Sequence, residues 1–333
     1  MKRINTEDFS KTLRAKAIDI DKRSLSITNY KNSGQEKDLT DPANCNGFGR
    51  IRHFKLGTGK DWPLNPLPIL PAAKALGKTP DSEIRAQVFQ NSVCNWRCWY
   101  CFVDFQLLSG DKKHSNFLTC DEMLDLYLDQ ENPPLMIDLT GGQPDLTPEW
   151  IPWMMEAITK RGLQDKIYLW SDDNLSNDYF WKYLSNDQIK MIQNYKMYSR
   201  VCCFKGIDEE SFSINTNASP DLFQNQFELV KRLIDLDIDL YSYITLTAAS
   251  KTNFESVIPK FLDSIQSVNV LFPLRIVPLK VFEFTPVKPR MTDVFKDFLV
   301  GQQKAIEIWQ KELQKRFSGE LLSKPITEIY IKK

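Results

Sequence analysis

From Arg85 onward the chain repeats one unit, an apolar strand-like run followed by a helix start signal, and this rhythm constrains the fold more than any other feature of its 333 residues. Strands that alternate with helices pair in parallel, because each helix carries the chain back across the sheet in a right-handed crossover. The runs fall near residues 86–93, 135–140, 166–171, 200–205, 239–247 and 270–278. Thr119-Cys120-Asp121-Glu122 reads as a capping box, while Thr147-Pro148-Glu149 and Ser219-Pro220-Asp221 each put proline at a first helical position. Phe227, Val230, Leu233 and Ile234 give the helix before the fifth strand an apolar face, and Phe295, Leu299, Ile306, Trp309 and Leu313 do so for a long helix near 293–317. Six such units predict an α/β chain whose core is a partial (βα)6 parallel barrel. Barrels of this kind gather their functional residues at the carboxyl ends of the strands.

The flanks differ from this core. Residues 1–84 are expected to be an irregular extension packing on the barrel, because proline and glycine crowd the stretch from Gly47 to Gly77. Proline at that density, as in Trp62-Pro63-Leu64-Asn65-Pro66-Leu67-Pro68, blocks helices and central strands. The core barrel is assigned to 85–290, and a helix with a tail to 291–333. Seven cysteines, an odd number with three in one short run, make a poor disulfide framework and fit a reducing, cytoplasmic setting. A charged start without an apolar run behind it, and no uncharged apolar stretch of about 18 residues, argue against a membrane partner. With 43 basic against 43 acidic residues, bulk charge also argues against nucleic acid as a partner.

Chemistry concentrates after the first strand, in Cys94-Asn95-Trp96-Arg97-Cys98-Trp99-Tyr100-Cys101. Three thiolates on one loop, spaced C-x3-C-x2-C, can ligate three irons of a [4Fe–4S] cluster and leave the fourth open. A zinc site is the competing reading, and unliganded core thiols a third. A Cys3His site needs a histidine, and the chain has only His53 and His114, neither at short ligand spacing. The second strand ends in Thr140-Gly141-Gly142-Gln143-Pro144, where paired glycines let a ligand approach the backbone. Ser171-Asp172-Asp173-Asn174 ends the third strand and can serve either a ligand or a helix-capping turn. On the fourth strand Val201, Cys203 and Lys205 share one face, and on the fifth Tyr241, Tyr243, Thr245 and Thr247 form a polar stripe that faces either a substrate or solvent.

C-x3-C-x2-C after the first strand and Gly-Gly-x-Pro after the second together resemble the radical S-adenosylmethionine (radical SAM) superfamily, over roughly residues 86–278. In look the chain is nearest to the single-cluster, activating-enzyme-like members. The resemblance implies that Cys94, Cys98 and Cys101 hold a [4Fe–4S] cluster whose open iron takes the amino and carboxylate groups of S-adenosylmethionine. Tyr100 matches the position near the adenine, and Gly141 and Gly142 match the edge that meets the SAM amino group, continued by Gln143 and Pro144. Gln143 departs from the acidic residue the family often has there. Ser171 and Asp172 stand where related enzymes carry an acidic-Thr-Asn-Gly signature and would meet the ribose, and Lys205 would pair with the SAM carboxylate or stay solvated at the strand end. Cys203 could give a hydrogen atom to a substrate radical or be a small buried residue.

The implied activity is that of an oxidoreductase. An electron from a donor such as a flavodoxin or ferredoxin cleaves SAM, and the 5′-deoxyadenosyl radical abstracts hydrogen from a substrate. A small molecule is the first expectation for that substrate. An activase acting on a partner protein is second, suggested by the segment from Gly206 to Phe212, and a non-catalytic zinc or iron–sulfur protein is third. With no cysteine group after Cys203, auxiliary clusters are not expected.

Overall fold

The computed structural model describes residues 3–331. Its strands are β1 (Ile18–Asp19), β2 (Ser24–Thr28), β3 (Gly49–Lys55), β4 (Glu83–Phe89), β5 (Ser115–Thr119), β6 (Met136–Leu139), β7 (Tyr168–Asp173), β8 (Tyr198–Phe204), β9 (Leu240–Ile244) and β10 (Ile276–Pro278). The α-helices are α1 (Thr6–Ala17), α2 (Ile69–Ala75), α3 (Cys120–Leu128), α4 (Trp150–Lys160), α5 (Tyr179–Tyr183), α6 (Asn186–Asn194), α7 (Glu209–Thr216), α8 (Asn225–Asp235), α9 (Phe254–Val268), α10 (Asp293–Arg316) and α11 (Gly319–Ser323). Among these residues no helix is long and apolar enough to cross a membrane.

A curled, half-barrel sheet of seven strands runs β10-β9-β8-β7-β6-β4-β3. Every pairing in this sheet from β4 to β10 is parallel, and each of the six expected runs overlaps one of these strands. The sixth run is mostly not strand: Pro273 lies in a 3-10 turn over Phe272–Arg275, and pairing begins only at Ile276. Alternation along the strands separates two faces. Ile137, Leu139, Leu169, Cys202, Phe204 and Ile244 point outward into the main core under the helices. Each such fully buried side chain contributes roughly 1.5–3 kcal/mol. The expected capping box at Thr119 starts α3, with the Thr119 side chain accepting from Glu122 N and the Glu122 side chain accepting from Thr119 N. The other two proline signals open turns, and their helices begin a little later, at Trp150 and Asn225.

The N-terminal segment is not irregular as expected. It carries α1, a small antiparallel sheet in which β2 pairs with β1 and β5, and the seventh strand of the main sheet, β3, antiparallel to β4. Its proline-rich part enters the concave face of the half-barrel. Leu67, Ile69 and Ala72 pack there against Phe54, Ala86, Met136 and Trp170. Tyr243 OH donates to Leu67 O (3.1 Å) and Trp62 Nε1 to Pro278 O (3.0 Å), fixing that plug to β9 and β10. The amino-terminal half of the interior is therefore apolar and filled. The half nearer the carboxyl ends is lined by polar side chains.

Candidate active site

The cysteine loop lies just beyond β4 and is tied down along its length. Cys94 N donates to Leu108 O (3.1 Å), Arg97 N to Thr216 O (3.0 Å) and Trp99 N to Asn215 O (3.3 Å). Arg97 folds back to donate to Cys94 O (2.5 Å) and Trp96 O (2.9 Å). Trp99 stacks on Phe295 of α10 with centroids 4.7 Å apart, and Arg290 donates to Cys101 O (2.7 Å) and Val103 O (2.9 Å). The long C-terminal helix and the turn before it thus hold the loop from outside.

Cys94, Cys98 and Cys101 are free and half-buried. Burial pushes all three thiols up, Cys98 to about 12, and the Lys205 ammonium nearby pulls the other way. Cations beside buried thiols favour their ionised, metal-binding form. Among the described residues no three His, Cys, Asp or Glu side chains converge on a point that would hold one metal ion. His53 is engaged elsewhere, its Nε2 2.6 Å from Asp41 Oδ2 and its Nδ1 2.5 Å from Glu83 Oε1.

The glycine pair follows β6, the strand beside β4. Gly141 and Gly142 have φ of 80° and 64°, a region L side chains rarely adopt. A Cβ on Gly142 would meet Asn91 O and Val93 O at 2.4 Å, and one on Gly141 would meet Gln90 Cγ at 2.6 Å. Close approach to the chain leading into the cysteine loop therefore requires glycine at both positions. Gln143 N donates to Val93 O (2.8 Å), which locks the two loops together. Pro144 opens a 3-10 turn, Pro144–Leu146, that carries Asp145 beneath them.

Gln143 is buried, and both ends of its amide are used within the protein. Its Nε2 donates to Asp173 Oδ1 (2.9 Å), and its Oε1 accepts from Asn174 N (3.0 Å). Asn174 Nδ2 in turn donates to Asn95 Oδ1 (3.1 Å) and lies 3.9 Å from Cys94 Sγ. The side chain expected at a cofactor edge instead braces three loops. Beneath it the fully buried Arg200 pairs with Asp145 and, at 3.0 Å, with Asp173. Burial and the neighbouring Asp173 push the Asp145 carboxyl up to about 7.

Ser171 and Asp172 face opposite ways, as successive strand residues must. Ser171 is buried on the helix side, 2.7 Å from Tyr198 OH, so it is not available from the concave face. Asp172 is half-buried on the concave side and accepts from Thr140 Oγ1; burial pushes its carboxyl up, against the pull of Arg52 and Lys205. Lys205 and Cys203 lie on the same concave face. Burial works against the Lys205 charge, but Cys203, Tyr100 and Cys98 around it hold the ammonium well above the usual lysine range. Tyr100 is buried with its OH 3.2 Å from Thr245 Oγ1.

The polar stripe on β9 also faces inward rather than toward solvent, yet its hydroxyls are committed to the protein. Tyr241 donates to Asp239 Oδ2 (3.0 Å), Tyr243 to the plug, and Thr247 Oγ1 to Asn215 Oδ1 (3.0 Å). Three further residues of the concave face carry no sequence motif: Arg50 and Arg52 of β3, and Asp138 of β6. Asp138 is fully buried, with Arg52 Nη1 3.8 Å from its Oδ2. Inward alternation of Arg50, Arg52 and Phe54 was the available signal, but charged residues at inward positions read as a solvated segment.

Fold and site together define an α/β half-barrel with a three-thiol loop and a Gly-Gly edge side by side, at the carboxyl ends of adjacent parallel strands. No protein-family model matches the chain, and no curated protein matches it. Among solved structures it is similar to SuiB of Streptococcus suis bound to S-adenosylmethionine, with 15% identity and a TM-score of 0.45 over 70% of this chain and 48% of that one. SuiB bound to precursor peptide SuiA gives 16% identity and a TM-score of 0.43 over 68% and 46%. Native anSMEcpe with bound AdoMet gives 16% identity and a TM-score of 0.42 over 67% and 60%. The chain thus spans about half the length of the SuiB chains. What the site can bind is decided by its own residues.

Proposed function

We propose that this chain is a radical SAM enzyme with a single cluster, acting on a small molecule. The observation that carries the reading is the bracing of the cysteine loop to the Gly-Gly edge, through the bond from Gln143 N to Val93 O and the relay Gln143–Asn174–Asn95. When bound, a [4Fe–4S] cluster with SAM at its open iron supplies one electron that splits the sulfur–C5′ bond, giving methionine and a radical able to abstract hydrogen.

Cys94, Cys98 and Cys101 would hold three irons. Gly141 and Gly142 would admit the SAM amino group against bare backbone, and the Lys205 ammonium, which has no carboxylate partner in an ion pair among the described residues, suits the SAM carboxylate. Asp172, on the same face, would accept from ribose hydroxyls. Arg290 and Phe295 cover the outside of the loop and limit water there. The described parts of the two flanks, residues 3–84 and 291–331, are read as completing the barrel's interior and mouth. A small substrate is favoured because the Leu67–Ala72 plug fills the apolar half of the interior and leaves only its polar half. An external one-electron donor of the ferredoxin or flavodoxin kind would feed the cluster.

The reading is tested on Cys98→Ala after anaerobic reconstitution. It should lose the iron content and the broad visible absorption of the wild type while keeping the same far-ultraviolet circular dichroism. A variant that retains a full complement of iron would contradict it.

A further inference from the structure

The polar half of the concave face contains buried polar groups that the fold leaves incompletely paired. Arg50 is 8% exposed; its Nε donates to Tyr30 OH (3.1 Å) and its Nη2 is buried with no partner. Asp138 is 0% exposed, and neither of its oxygens accepts a hydrogen bond. Arg52, with its side chain 28% exposed, lies 3.8 Å from Asp138, beyond hydrogen-bond reach. A buried polar group left unsatisfied costs about 1–3 kcal/mol, and a charged one more. Groups kept in that state at a concave surface are suited to a ligand that completes them.

Their position ties them to the proposed site. Phe102, the residue after Cys101, has both guanidinium groups over its ring, at 5.3 Å for Arg50 and 5.7 Å for Arg52. Tyr30 OH, which accepts from Arg50, donates to Gln90 Oε1 (3.0 Å), and the Gln90 side chain packs directly on Gly141. Arg52 and Lys205 both act on Asp172, so the arginine pair and the proposed cofactor side share one face.

We infer that Arg50, Arg52 and Asp138 form the substrate subsite, and that it takes a small anionic molecule whose carboxylate or phosphate bridges the two guanidinium groups while a neighbouring polar group hydrogen-bonds Asp138. Guanidinium forks match planar carboxylates and phosphates with paired N–H donors, which an ammonium cannot do. Burial, and then the Asp172 charge, push the Asp138 carboxyl far up, so it offers an O–H donor rather than a repelling charge. The substrate would enter as an anion and be held beside the cysteine loop. This inference rests on the radical SAM reading for its role but not for its binding.

The test is binding of inorganic phosphate, followed by 31P line broadening, and of acetate, followed by saturation transfer, to the full chain and to Arg52→Gln and Arg52→Lys. The wild type should bind at least one of them saturably, and whichever binds tighter assigns the phosphoryl or the carboxylate source. Arg52→Gln should weaken it at least tenfold, and Arg52→Lys, which keeps the charge but not the fork, should still weaken it severalfold. If Arg52→Gln does not fold, phenylglyoxal modification of Arg52 in the wild type, mapped by mass spectrometry, should be slowed by the same anion. No saturable binding, equal binding by a folded Arg52→Gln, full restoration by lysine, or no protection from phenylglyoxal would overturn the subsite. 5′-Deoxyadenosine formation from SAM by the wild type, measured alongside, separates the two ideas: cleavage without anion binding refutes the subsite alone, and anion binding without cleavage refutes the enzymatic reading alone.

Discussion

Gly142→Ala and Gly162→Ala should differ sharply although the two backbones are nearly alike. Gly142 has φ of 64° and Gly162, after α4, has φ of 66°. Each alanine meets the same left-handed cost of roughly 1–2 kcal/mol, partly offset in both by the same loss of unfolded-state freedom. At Gly162 nothing lies within 4 Å of the new Cβ, so the cost should stop near about 1 kcal/mol. At Gly142 the Cβ would stand 2.4 Å from Asn91 O and Val93 O, and both are backbone atoms that must retreat to at least 3.0 Å. Overpacking of that kind adds about 1–3 kcal/mol, and straining the bond from Gln143 N to Val93 O adds about 1 more. Gly142→Ala should therefore lose about 3–5 kcal/mol, and because Val93 leads directly into Cys94 it should also lose iron on reconstitution. Guanidinium unfolding followed by tryptophan fluorescence, with iron assay of the same samples, reads both effects. Equal destabilisation of the two variants, or full iron retention by Gly142→Ala, would refute the proposed coupling of the two loops.

Asp145→Asn should flatten the fall in stability between about pH 4 and 7. In that window the native carboxyl, pushed up to about 7, keeps a proton that the unfolded chain has released, so wild-type stability falls as pH rises, by at most about 1.4 kcal/mol per unit. Chemical denaturation at several pH values compares the slopes. Arg290→Ala should remove two charge-assisted bonds to the Cys101 and Val103 carbonyls and lower the protection of nearby amides by about 2–3 kcal/mol, read by hydrogen exchange; unchanged protection would show that the turn before α10 does not hold the loop. The His53 imidazole, bonded to Glu83 and Asp41, should titrate above the usual histidine range, and Glu83→Gln with Asp41→Asn should bring it down in proton NMR. Its raised value stabilises the fold at low pH, and that contribution is lost as pH rises through it.

The parallel core was legible because its outward residues, such as Ile137, Leu139 and Phe204, meet helices and must be apolar, and because the caps of its helices are written in short local motifs. Strand β3 was not. Gly49–Lys55 places Arg50 and Arg52 inward, toward the polar half of the barrel, so its pattern is the inverse of a core strand and is indistinguishable from a solvated loop. Helix α1 carries its apolar contacts on Phe9, Leu13 and Ala17 alone, too thin a stripe to stand out from a charged start. The cysteine and glycine motifs were legible as motifs, and alternation already implied that Ser171 and Asp172 cannot both face the same cavity. The bracing role of Gln143 was not visible, since it depends on Asp173 and Asn174 arriving from another strand. The gathering of Arg50 and Arg52 near an unsatisfied Asp138 likewise exists only once β3 and β6 flank β4.

One measurement tests the central claim most directly. The full chain, purified and reconstituted without oxygen, is assayed for iron, sulfide and zinc, then incubated with SAM and a low-potential reductant while 5′-deoxyadenosine is quantified. The account predicts about four irons and four sulfides per chain and 5′-deoxyadenosine formation that requires both SAM and reductant. One zinc per chain, with no cleavage of SAM, would contradict it.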